Sequence, residues 1–155
     1  MADSERRQAA RAVDTVAVAD ALRPALLRVG RELRREARAV GVSPEQVALL
    51  VAIKYTPGIG VRDLAARERI SPPALTNHVN RLERAGLVSR TPSAGDRRRV
   101  GLALTDEGQR VLRRVRSRRT AWLASRLRTL SEAELAAVAA AVGPLSQLLD
   151  EDVRP

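Results

Sequence analysis

Apolar residues recur along most of the chain at spacings of three and four, the period of an amphipathic α-helix. This pattern predicts helices over residues 12–40, 43–55, 61–68 and 71–85, the last two joined by a tight turn. Pro24 lies within the first of them, so that helix either begins near Pro24 or is kinked there. Two short helices joined by such a turn are typical of a helix-turn-helix.

After residue 86 the period changes to two, which is the pattern of a β-strand. Residues 87–91 and 100–104 are predicted as strands on either side of a turn at 92–96. The returning strand places three apolar residues on one face, which we expect to point inward: Val100, Leu102 and Leu104. The two strands form a hairpin, or wing.

Two further helices complete the pattern. Thr105 caps the first, and Ser131 with Glu134 forms a capping box at the start of the second, which we expect to bend at Gly143 and Pro144. The fold class is therefore mostly α with a small β-hairpin wing, a winged helix-turn-helix flanked by helical dimerisation arms. We divide the chain into an N-terminal arm (1–42), a winged helix-turn-helix domain (43–104) and a C-terminal arm (105–155).

The terminal helices carry apolar stripes that one small protomer cannot easily cover, which predicts a two-fold homodimer. The residues that we expect in its interface are Leu22, Leu26, Leu127, Leu135, Val138, Val142 and Leu145.

Composition excludes several classes of site. The chain of 155 residues has no Cys, so it has no disulfide, thiolate zinc site or cysteine nucleophile, and its single His78 cannot build a metal site or a triad. We therefore expect no cofactor, no metal and no enzymatic activity. No apolar run reaches the roughly 18 residues of a membrane helix, and the N-terminus is charged. A cytoplasmic protein without membrane contact is expected.

The formal net charge of +10 points to a nucleic acid, although Arg supplies 27 of the 28 cationic residues and this skew is also typical of a GC-rich genome. Residues 56–104 hold nine Arg and four acidic residues, and residues 105–131 hold eight and two. The last 24 residues hold one Arg and five acidic residues. We expect some arginines of 105–131 to face Glu132 and Glu134 or a partner subunit.

The helix after Ser71 has the two faces of a recognition helix. Its inward face carries Leu75, Val79 and Leu82. The opposite arc is polar, and we assign it to the DNA major groove: Pro73, Asn77, Asn80 and Arg84, flanked by Thr76 and Arg81. Asn77 and Arg81 are predicted to read bases, and Ser71 and Thr76 to contact phosphate. A solvated helix face is the alternative for the arc, and a partly buried structural residue is the alternative to DNA contact for His78.

Three stretches resemble the multiple antibiotic resistance regulator (MarR) family of winged-helix transcription factors: VRDLAARERISPPALTNHVNRLERAGLVSR, GDRRRVGLALTDEG and the helical arms. The resemblance covers nearly the whole chain. The wing motif of that family is matched by Asp96, Arg98, Leu104, Thr105 and Gly108. One departure is Asn77 followed by His78, where many relatives have an Arg directly after the Thr.

Three arginines, Arg97, Arg98 and Arg99, lie at the hairpin turn, where one can enter the minor groove. The resemblance implies that this is Arg98, held by Asp96. Arg97 is assigned to the same DNA-contacting wing, and Arg90 is a phosphate candidate. The alternative is a solubilising run of charge.

The resemblance further implies a repressor that binds a pseudo-palindromic double-stranded operator as a homodimer through its first and last helices. It also implies release by a small effector, often a phenolic or aromatic acid, in a pocket between the arms and the winged domain. Tyr55 either lines that pocket or packs in the core. A sequence-tolerant architectural nucleic-acid-binding protein is the alternative function.

Overall fold

The computed structural model describes residues 14–92 and 100–148, and within them the chain forms six helices and three strands. The elements follow in the order α1 (Thr15–Arg38), α2 (Pro44–Tyr55), β1 (Ile59–Gly60), α3 (Val61–Glu68), α4 (Pro72–Arg84), β2 (Val88–Pro92), β3 (Val100–Leu104), α5 (Asp106–Leu127) and α6 (Glu132–Gln147). The strands form one antiparallel sheet in the order β1-β3-β2. The mostly α winged-helix architecture is therefore confirmed.

Capping residues start the helices where the sequence predicts. At α2 the Gln46 amide donates to the Ser43 hydroxyl at 3.2 Å, and the Ser43 amide donates to the Gln46 side chain at 2.8 Å. Ser131 and Glu134 form the same reciprocal pair at α6. Each pair satisfies two N–H groups that have no partner inside the helix.

Both prolines of the terminal helices lie inside continuous helical segments. The Asp14 carboxylate caps α1 by accepting from the Val16 amide at 2.9 Å, so the helix does not begin near Pro24, and that alternative is wrong. Helix α6 likewise continues through Pro144. The described helices include none long and apolar enough to cross a membrane.

A core of Leu, Val, Ile and Ala joins α2, α3, α4, the sheet and the first half of α5. Its largest fully buried side chains are Leu49, Leu50, Ile53, Leu64, Leu75, Leu82, Leu102, Val79 and Val115. The three residues predicted for the inward face of α4 are all fully buried, so this part of the pattern is confirmed. Burial on this face fixes the rotation of α4 about its axis, and its opposite face is turned to solvent.

Strand β1 is absent from the sequence prediction because two residues, one of them a glycine, are too few to show a period. It forms because Ile59 and Gly60 pair with Leu102 and Gly101 of β3. The approach is close: a Cβ at position 101 would lie 2.4 Å from the Gly58 carbonyl oxygen. Glycine is therefore required at position 101.

The prediction of three inward apolar residues on β3 is wrong at one position. Leu102 is fully buried and Leu104 is half-buried, but Val100 is 52% exposed. Val100 pairs with Pro92 at the outer end of the described hairpin. Although it lies on the same face as Leu102, Val100 is at the end of the strand beyond the described core, and about half of it stays exposed.

Candidate nucleic-acid interface

Helices α3 and α4 form a helix-turn-helix whose turn depends on one left-handed residue. Arg69 ends α3 with φ 53° and ψ 40°, and the following Ile70 amide donates back to the Ala65 carbonyl at 3.0 Å. A non-glycine residue in this conformation is uncommon. The reversal lets α4 begin only three residues after the end of α3.

Helix α4 presents a polar surface on the side away from the core. Pro73, Asn77, Arg81 and Arg84 are exposed, and Thr76 and Asn80 are half-buried at its edges. The structure thus brings the predicted residues onto one arc. Asn77 and Arg81 lie one helical turn apart and can reach neighbouring base edges. His78 is half-buried, outside the exposed arc, as expected of a structural residue.

The two residues predicted to contact phosphate differ in what their hydroxyls do. Ser71 is the exposed N-cap of α4 but makes no capping hydrogen bond with its side chain. Thr76 donates its hydroxyl proton to the Pro72 carbonyl at 2.9 Å. Thr76 must therefore rotate away from this backbone contact before it can donate to a phosphate oxygen, whereas Ser71 need not break a cap.

Arg90, on β2, is held against α4 by two side chains. Its Nε donates to the Glu83 carboxylate at 3.1 Å, and its Nη2 donates to the Asn80 Oδ1 at 3.0 Å. Glu83 and Asn80 lie one turn apart on α4, so the guanidinium spans both. No local sequence pattern predicts this contact, because Asn80 and Arg90 are ten residues apart and lie on a helix and a strand.

The base of the wing is fixed to α4 by the residues of the predicted wing motif. The Thr105 hydroxyl donates to the Gly86 carbonyl at 2.6 Å and accepts from the Gly108 amide at 3.0 Å. A Cβ at position 108 would lie 2.1 Å from the Leu87 carbonyl oxygen, so only glycine allows α5 to approach β2 this closely. These contacts set the direction in which the hairpin leaves the helix-turn-helix.

The remaining predicted wing residues, Asp96, Arg97 and Arg98, lie outside the described residues, and so does Arg99.

Two arginines of α5 contact α1 rather than the acidic start of α6. Arg118 pairs with Glu36 at 3.0 Å, and the Arg119 Nε donates to the Leu33 carbonyl at 3.1 Å. Within residues 14–92 and 100–148, no ion pair joins α5 to Glu132 or Glu134, so this arrangement is not found within the protomer. The contacts fasten the C-terminal half of α1 to α5.

A cleft of about 520 Å³ lies between the end of α1 and α5. Its lining is strongly basic: Ala39, Val40, Arg110, Arg113, Arg114, Ser117 and Arg118. The volume is in the usual range for small-molecule sites. Tyr55 is not among these residues; it is 73% exposed, with the Lys54 Nζ 5.8 Å from its ring centre. Core packing of Tyr55 is therefore wrong, because it ends α2 on the solvent side.

Among the described residues there is no cluster of His, Asp and Glu able to hold a metal ion.

The chain is similar in sequence and in structure to known proteins. A sequence model of the MarR family matches residues 42–100. The HTH-type transcriptional repressor MdtR of Bacillus subtilis is 35% identical over 112 residues, which is 72% of each chain. The crystal structure of RV1404 from Mycobacterium tuberculosis superposes with a TM-score of 0.76 at 26% identity and covers 92% of this chain and all of that one. A mutant of S. aureus MepR bound to an oligodeoxyribonucleotide has the same fold, with a TM-score of 0.66 at 21% identity over 86% of this chain and 98% of that one.

Proposed function

Because the chain belongs to the MarR family of transcriptional regulators, we propose that it is a homodimeric, sequence-specific repressor that leaves its operator when a small anionic effector binds. The observation that carries the proposal is the polar face of α4. It is exposed over its length, while the opposite face is fully buried. A helix oriented in this way can enter a major groove without disturbing the core.

The chemistry of that face suits base recognition. Asn77 pairs with the N6 and N7 of adenine, and Arg81 pairs with the O6 and N7 of guanine. Both side chains are exposed and, in the described part of the chain, neither has a hydrogen bond or an ion pair that would hold it back. Arg84 and the Ser71 hydroxyl supply phosphate contacts at the two ends of the helix. We assign Arg97 and Arg98 of the wing to the minor groove, with Asp96 orienting Arg98.

The dimer is proposed from apolar residues that the protomer leaves uncovered. Leu26, Leu135, Val138 and Val142 are between 42% and 59% exposed. Leu22, Leu127 and Leu145 are half-buried. Two-fold pairing of the terminal helices buries these side chains and presents two α4 helices to successive major grooves, about 10 bp apart on a pseudo-palindrome.

We place the effector in the basic cleft between α1 and α5. Arg113 and Arg114 line it and, among the described residues, neither is in an ion pair, so both are free to hold a carboxylate. Salicylate serves as a probe, with binding measured by calorimetry on wild type and on Arg113→Ala/Arg114→Ala. Arg126 lies on the same helix outside the cleft, so Arg126→Ala is the control and should bind salicylate as tightly as wild type. If the Arg113→Ala/Arg114→Ala variant also binds salicylate as tightly as wild type, the effector does not bind in this cleft.

The ratio of the affinity for the operator to the affinity for scrambled DNA distinguishes a regulator from an architectural DNA-binding protein. We expect the operator recovered by sequencing DNA that the protein retains from its own genome to bind about 10³-fold or more tightly than scrambled DNA at the same salt concentration. A ratio near one contradicts the proposal and favours binding by phosphate contact alone.

Asn77→Ala tests the reading face directly. We expect it to relax the preference at one base pair per half-site by about 1–3 kcal/mol. Selection of sites from a random DNA library measures this, with Asp63→Ala, an exposed residue of α3, as a control for general effects of truncation. Identical selected sites for wild type and Asn77→Ala contradict the assignment.

A further inference from the structure

The hydrogen bond between Asn80 and Arg90 fixes which atom of the Asn80 amide is the oxygen. The guanidinium of arginine carries only donors, so the Asn80 atom 3.0 Å from the Arg90 Nη2 must be the carbonyl oxygen. The amide NH₂ group is then at the other end of the side chain. The donor-only guanidinium thus identifies the oxygen and the nitrogen of the Asn80 amide, which cannot be told apart in an Asn without such a partner.

The second contact of Arg90 keeps this orientation in place. Its Nε donates to the Glu83 carboxylate at 3.1 Å, so the guanidinium is held at two points one turn apart on α4. The side chains of Arg90 and Glu83 are 37% and 40% exposed, and an ion pair at such a site adds little to stability. Its consequence is therefore mainly geometric: it limits how Asn80 can turn.

We propose that Arg90 is a positioning residue that makes Asn80 read the operator mainly through its NH₂ donors, so that Asn80 favours guanine and disfavours adenine. The inference rests on the proposed function. An Asn that pairs with adenine needs its oxygen for N6 and its NH₂ for N7. At Asn80 the oxygen is engaged by Arg90. Guanine presents two acceptors, O6 and N7, to the remaining NH₂ group, and cytosine presents only a donor.

The polar face of α4 therefore carries two asparagines with different hydrogen-bonding capacity. Asn77 has both ends of its amide available and is suited to adenine, whereas the Asn80 oxygen already accepts from Arg90 and only its NH₂ group is unoccupied. Arg90 still has N–H groups that are not used by Asn80 or Glu83. A phosphate contact by those groups, as the sequence predicts, is compatible with the positioning role, and the two roles are separable by experiment.

The test is site selection from a random DNA library by wild type, Arg90→Met, Asn80→Ala and the double variant. Met fills the space of the arginine stem and frees the Asn80 oxygen. We expect the ratio of adenine to guanine at one position per half-site to rise about tenfold in Arg90→Met. In the Asn80→Ala background, Arg90→Met should have no further effect on that position.

Two outcomes overturn the proposal. A uniform loss of affinity with a smaller salt dependence and unchanged selected sites makes Arg90 a phosphate contact only. A changed preference that persists in the Asn80→Ala background makes Arg90 a direct reader. If wild type selects no sequence at all, the proposed function fails, and this inference fails with it.

Glu83→Ala keeps the proposal testable if Arg90→Met does not fold, which thermal unfolding reveals. It retains the guanidinium charge but removes one of its two anchors. We expect a shift of the base preference in the same direction and smaller than that of Arg90→Met. Unchanged selected sites for a folded Glu83→Ala count against positioning.

Discussion

The region from α2 to β3 buries many of its apolar side chains, whereas the two terminal helices, α1 and α6, leave most of theirs exposed. Helix α2, with 12 residues, buries five of them, whereas α1 buries only Ala37 among 24 and α6 buries none among 16. The terminal helices are nevertheless rich in Leu, Val and Ala. The compact region is thus covered by its own contacts, while the terminal helices leave apolar surface that a second protomer can bury.

Glycines show the same difference. At Gly108, in the first turn of α5, a Cβ would lie 2.1 Å from the Leu87 carbonyl oxygen, and at Gly101, in β3, a Cβ would lie 2.4 Å from the Gly58 carbonyl oxygen. Around Gly143, in α6, no atom other than those of its chain neighbours and its own helix backbone lies within 4 Å of the position of a Cβ. Close backbone packing therefore dictates glycine in β3 and where α5 meets the winged region, whereas the described residues give no such reason at Gly143.

The largest effect is expected from charges on the exposed stripe of α6. Leu135→Asp with Val138→Asp should prevent dimerisation and lower operator affinity by about 10²–10⁴-fold, because two linked binding sites become one. Sedimentation and a DNA-binding titration measure the two changes. The matched control is Ala133→Asp with Ala140→Asp, which adds the same charge on the opposite face of the helix. An intact dimer in the first variant contradicts the role of this stripe.

An effect of intermediate size is expected when Gly108 and Gly143 are each replaced by alanine. Gly108→Ala should destabilise the protein by about 1–3 kcal/mol, because α5 and β2 must move apart. The same substitution at Gly143 should change the stability by less than about 1 kcal/mol, because the helix preference of alanine is offset by the crowding of its Cβ against the ring of Pro144. Denaturant unfolding at one protein concentration measures both. Equal effects at the two positions would show that close packing at Gly108 is not what distinguishes them.

The smallest effect is expected at the start of α6. Hydrogen bonds from the Ser131 side chain and backbone to the carboxylate hold the pKa of Glu134 below its ordinary value of 4.5. The stabilisation is therefore present above pH 4.5 and is lost as the pH falls through the lowered pKa. NMR titration of the carboxyl carbon measures the pKa, and Ser131→Ala should raise it toward the ordinary value. A pKa that does not change in that variant contradicts the capping box as its cause.

Much of the fold was predictable because its signals are local. The caps at Ser43 and Ser131 depend on residues three positions apart, and the buried face of α4 follows from the helical period. Strand β1 was not predictable, since it exists only through its pairing with Leu102 and Gly101. The exposure of Val100 was missed for a related reason: a period of two says which face a residue is on, and not whether that face is covered.

The sequence by itself determined the starts of α2, α5 and α6, the helix-turn-helix order and the polar arc of α4, because each depends on neighbouring residues and on the helical repeat. Only the tertiary structure decided that Arg90 donates hydrogen bonds to Asn80 and Glu83. It also decided that Thr105 and Gly108 contact the residues just after α4, and that Arg113 and Arg114 line a basic cleft. These contacts join residues distant along the chain, and their geometry arises only after the core has set the helices against one another.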